Sequence, residues 1–82
     1  MGQFSYVIKD EVGIHARPAG LLVKMVKSGS SAVTIRKGEK EVDASKLMAV
    51  MSLGAKKGDE VIVSSDDEAT LENVKKFFEE NL

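Results

Sequence analysis

The feature that most restricts how this chain can fold is a hydrophobic period that keeps switching between two and 3.6 residues. Phe4, Tyr6 and Ile8 alternate with Ser5, Val7 and Lys9, as a half-buried strand requires. Ala16, Ala19, Leu22, Val23 and Val26 then recur at helical spacing, with Lys24 and Lys27 late in the helix where cations suit its dipole. Pro18 belongs in a first turn, so this helix starts near residue 16 and stops at Ser28-Gly29-Ser30-Ser31. Alternation returns over 32–37 and, after the link Lys37-Gly38-Glu39, over 40–43. A short helical piece, Leu47 to Leu53, ends at Gly54. A fourth strand over 60–64 follows Lys57-Gly58-Asp59. Leu71, Val74, Phe77 and Phe78 then mark a last helix, entered through Asp66-Asp67-Glu68, with Ser65 and Glu68 at capping-box spacing. The order βαββαβα predicts an α/β (α+β) two-layer open-faced sandwich. One domain, 1–82, carries a four-stranded antiparallel sheet with three helices on one face and water on the other.

Composition narrows the chemistry. The 82 residues include no cysteine and one histidine, which excludes disulfides, thiol nucleophiles and multi-histidine metal sites. The expectation is therefore no metal site. A formal charge of −1 argues against a nucleic-acid binder. The charge is unevenly spread: residues 1–57 hold ten Lys/Arg against five acids, and residues 58–82 two lysines against eight acids. Such a dipole steers its basic end toward an acidic partner, although lysines also simply decorate wet faces. Short apolar runs and a start without a signal-peptide pattern predict no membrane insertion and a cytoplasmic location.

The segment Gly13-Ile14-His15-Ala16-Arg17-Pro18-Ala19 places the lone histidine beside a helix N-terminus. The first N–H groups of a helix lack intrahelical partners, so an anion carried on that imidazole would meet ready donors. Arg17 adds a charge-assisted contact to phosphate oxygens. The dipole disfavours imidazolium and leaves the ring neutral and nucleophilic, as a phosphoryl acceptor needs to be. A histidine near a helix start is also commonly a plain surface or capping residue, and the residues alone leave both readings open. No Walker loop or second histidine is present, so the chain has nothing with which to bind a nucleotide.

Gly13 to Gly20, followed by a helix, resembles the active-centre signature of the HPr family, the histidine-containing phosphocarriers of the bacterial phosphoenolpyruvate:sugar phosphotransferase system. Leu47-Met48-Ala49-Val50-Met51-Ser52-Leu53-Gly54 resembles that family's second signature at the expected distance, and the likeness covers essentially the whole chain. The resemblance implies that His15 accepts a phosphoryl group on Nδ1 from phosphorylated enzyme I and passes it to a histidine on a sugar-specific enzyme IIA. It implies that Arg17 neutralises the phosphate and that the amides of Ala16 and Arg17 hold its oxygens. Pro18 would fix the helix entry. The carrier would bind no cofactor and would not itself be an enzyme.

Five of the seven residues 47–53 are large and apolar, too many for one side of so short a helix. Val50 and Leu53 suit the core. Leu47 and Met51, with Met48 beside them, mark another side, although in an arbitrary protein all five would pack inside. Exposed methionines suit a surface that fits several partners. The resemblance makes Leu47, Met48 and Met51 a docking patch, with Gly20 giving close approach. Many members of the family carry a serine, phosphorylated by a dedicated kinase, where this chain has Lys46. Its serine is Ser45, expected to be the N-cap of the short helix. The other functional reading is an HPr-like regulatory paralogue that binds a transcriptional regulator or an enzyme; His15 with Arg17 favours the carrier. A ligand- or RNA-binding domain would want a glycine clamp or stacking aromatics on the sheet. A carrier that must undock quickly is expected to be a monomer.

Overall fold

A computed structural model describes every residue except Met1, Val12, His15 and Ser30. Among the described residues the chain runs β1 (Gly2–Val7), α1 (Ala16–Ser28), β2 (Val33–Lys37), β3 (Lys40–Asp43), α2 (Leu47–Ser52), β4 (Glu60–Ser65) and α3 (Glu68–Asn81). The sheet order is β1-β4-β2-β3 and every pairing is antiparallel. The fold is the expected βαββαβα open-faced sandwich.

Period-two alternation becomes rows across the sheet. Phe4 lies opposite Val63, Val63 opposite Ile35, and Ile35 opposite Val42, one inward row crossing all four strands. Gln3, Ser64, Thr34 and Asp43 form the matching outward row. Val33, Ile35, Val61 and Val63 are fully buried, each contributing about 1.5–3 kcal/mol relative to exposure. Above them lie Ala19, Leu22, Val23 and Val26 of α1, Val50 of α2, and Val74 and Phe78 of α3. The β2–β3 turn places Gly38 at φ 61°, the positive value that a type II′ hairpin needs at its first central residue.

Two expected caps are corrected. The N-cap of α2 is Lys46, which makes no side-chain capping bond. Ser45 instead turns back: its Oγ donates to Asp43 Oδ1 at 2.7 Å and its N–H to the same oxygen at 2.8 Å. An aspartate two residues upstream offers a charged acceptor that captures the hydroxyl before the helix can. At α3 the cap is Asp67, whose carboxylate accepts from the Thr70 N–H (3.0 Å) and Oγ1 (2.6 Å). Ser65 Oγ accepts from the Asp67 N–H instead of pairing with Glu68 in a capping box. Gly54, one residue beyond the C-cap Leu53 of α2, has φ 62° and donates its N–H to Met51 O, as a terminating glycine should.

Phe78 is fully buried and holds α3 to the sheet through edge-on contacts with Phe4 (centroids 5.9 Å) and Tyr6 (5.4 Å). Phe78→Ala should lower stability by about 3–5 kcal/mol, and Phe78→Leu by distinctly less. Urea unfolding followed by circular dichroism reads both; equal losses would show that refilling the volume with an aliphatic side chain recovers nothing at this position, against this expectation.

Candidate functional site

The site is built where the chain leaves β1 and enters α1. The described residues of this segment, 8–11, 13 and 14, are held on two sides. The Ile8 N–H donates to Asp59 O (2.9 Å), and Ile8 O accepts from the Gly58 N–H (2.8 Å). On the other side, the Lys9 and Asp10 amides both donate to the backbone carbonyl of Leu82, a buried residue following α3. Asp10 Oδ2 accepts from the Gly13 N–H at 3.1 Å. Gly13 has φ 82°, and a Cβ on it would stand 2.1 Å from Ala55 O. No other residue fits there. The Ile14 N–H donates to the same Ala55 carbonyl at 2.9 Å, and the Ile14 side chain is buried.

This anchorage fixes where α1 begins. The expected acceptor, His15, lies outside the described residues, and α1 starts at the next position, Ala16. Ala16 and Arg17 are exposed in the first turn, while Pro18 and Ala19 are buried beneath it. Pro18 costs no intrahelical bond there. On the same helix a Cβ added to Gly20 would meet nothing within 4 Å, so the chain's own packing does not require glycine at that position.

Helix α2 packs against α1. Val50 and Leu53 are buried, as their spacing predicts, while Leu47 is 39% and Met48 76% exposed. Met51 is half-buried and rests on the core. Leu21, 48% exposed on α1, is a further apolar surface residue that sequence reasoning passed over. Its position off the buried stripe of α1 was the available signal. Lys46 is exposed at the entry of α2.

The PTS-HPr family model, described as PTS HPr component phosphorylation site, matches residues 3–80. The chain belongs to this family. A phosphocarrier protein HPr of Mycoplasma capricolum is 41% identical over 66 residues, 80% of this chain and 74% of the relative. One from Streptomyces coelicolor is 39% identical over 74 residues, 85% of this chain and 80% of the relative. The crystal structure of HPr-C-His from Thermoanaerobacter tengcongensis matches with a TM-score of 0.90 at 34% identity, covering 96% of this chain and 92% of that one. HPr proteins are phosphocarriers of the phosphotransferase system rather than enzymes in the ordinary sense, and the chain carries the phosphocarrier fold throughout.

Three carboxylates around these elements sit below the usual carboxylate range. The Ser45 hydroxyl and then its amide lower Asp43. The Lys56 amide and then the Lys37 side chain lower Asp59. The Thr70 hydroxyl and then its amide lower Asp67. A depressed folded-state value means stability that is present above the unfolded value and lost as pH falls through the folded one. Stability should therefore hold level above about pH 5 and decline below roughly pH 4. Urea midpoints at several pH values read this, and Asp59→Asn should make the decline shallower; a rise in stability on acidification would contradict the assignment.

Proposed function

We propose that this chain accepts a phosphoryl group on His15 from phosphorylated enzyme I and donates it to a histidine on a sugar-specific enzyme IIA during phosphotransferase-system sugar uptake. The observation that carries the reading is the signature Gly13–Gly20 in register with the start of α1, in a chain matched by the family over residues 3–80. In the forward step the lone pair on Nδ1 of neutral His15 attacks phosphorus, and the donor's P–N bond breaks as the new one forms. The imidazole proton stays on the other ring nitrogen until the group is passed on. Ala16 and Arg17 offer first-turn amides to the phosphate oxygens, and the Arg17 guanidinium balances their charge. Pro18 holds the turn rigid. Leu47, Met48 and Met51 with Gly20 form the docking surface; the exposure of Leu47 and Met48 and the open space above Gly20 support that use.

Incubation with enzyme I, magnesium and phosphoenolpyruvate should add one phosphoryl group that intact-mass analysis finds at neutral pH and loses in acid. His15→Ala should abolish it with the fold intact. Met48→Asp should fold normally and raise KM for enzyme I by about tenfold, because a charge on a docking surface opposes contact without entering the core. Acid-stable incorporation, or incorporation into His15→Ala, would end the carrier reading.

Serine regulation should be absent. Lys46 has no hydroxyl, and Ser45 is engaged with Asp43, whose carboxylate would repel a phosphate placed beside it. ATP and the family's serine kinase should leave the wild-type mass unchanged. Acid-stable phosphate that disappears in Ser45→Ala would show that regulation has moved by one residue.

A further inference from the structure

Helix α2 has almost nothing of its own to hold it. It is six residues long, its N-cap Lys46 makes no capping bond, and it has neither an acid in its first turn nor a base in its last. Segments that short do not stay helical unaided. The β2–β3 hairpin shows the opposite oddity. Lys37 and Lys40 stand directly opposite each other, in phase with Val33, Ile35 and Val42 and so on the helix-bearing side of the sheet. Like charges paired in this way are destabilising.

Each oddity resolves the other. Lys40 Nζ donates to Ser52 O at 3.0 Å, and Lys37 Nζ donates to Gly54 O at 3.3 Å. The Ser52 carbonyl lies at the negative, partner-poor end of the helix, which accepts cations most readily, and Gly54 follows directly on its C-cap Leu53. Lys37 also pairs with Asp59 Oδ2 at 3.1 Å, and the Asp59 carbonyl holds the Ile8 N–H. The hairpin therefore grips both α2 and the loop against which Gly13 is seated.

We propose that Lys37 and Lys40 are positioning residues, a two-lysine clamp on the C-terminal end of α2 that sets how Leu47 and Met48 are presented to phosphotransferase partners. The inference rests on the docking role given to α2 above. Both bonds are at the surface and add little to global stability, so the clamp acts on orientation.

The test uses the full chain with Lys37→Met, Lys40→Met, the double variant, the double Arg variant, and Lys75→Met on α3 as the control that matches each single variant in charge. Amide hydrogen exchange of the chain alone should be about tenfold faster at Val50, Leu53 and Gly54 in the double Met variant, with β1 and β4 unchanged. KM for enzyme I should rise by about three- to tenfold with kcat within about twofold. Arginine should restore both readings, and Lys75→Met should move neither. Unchanged exchange at α2 would overturn the clamp whatever the transfer assay gives. Faster exchange with an unchanged KM would overturn its role in docking. A wild-type chain that takes no phosphoryl group would fail the carrier reading itself, while the exchange measurement would still decide the clamp.

Discussion

At the site the main chain of Gly13 lies so close to Ala55 that no side chain can stand between them. It joins the segment entering α1 to the loop leaving α2, and one carbonyl, Ala55 O, receives the Ile14 N–H. Moving either partner would shift the first turn of α1, and with it Arg17. A phosphoryl acceptor works through geometry rather than through a pocket. Its donors must already point at the oxygens when the group arrives, because a carrier has no lid to close around it.

Most of the fold could be read from the chain because the sheet and helices obey different periods. Val33, Ile35, Val74 and Phe78, in phase with the expected periods, are buried, and Phe4, Tyr6, Leu71 and Phe77 are partly buried against them. Helix ends were less legible. Spacing nominates a capping residue but cannot say which of several neighbouring acceptors captures a given donor. Ser45 lost to a carboxylate two residues away, and Asp67 displaced Ser65 because Thr70 offered it two hydrogens. The second signature placed Val50 and Leu53 inside and Leu47 and Met48 outside correctly. The bonds from Lys37 and Lys40 to α2 were invisible to local pattern, since they cross 17 and 12 residues of sequence. The like-charge pairing in the hairpin was the trace they left.

Stability and recognition are distributed unequally. The sheet and α3 hold the buried aromatic cluster, while α2 contributes only Val50 to the fully buried core within its own span and leaves Met48 in water. A helix that buries so little can present unbranched side chains able to fit differently shaped partners. Its support comes from outside it, through Lys40 at one carbonyl and Gly54 at the next turn.

The strand order has a temporal meaning. β2 and β3 form a hairpin from adjacent residues, whereas β1, made before them, pairs with β4 among the described residues. Its inward residues Phe4 and Tyr6 wait until Val63, Val61 and then Phe78 have been made. The segment before α1 waits with them, because Ala55, Asp59 and Leu82 supply its anchors. A nascent chain of this family therefore carries its signature segment before the residues that seat it have been made.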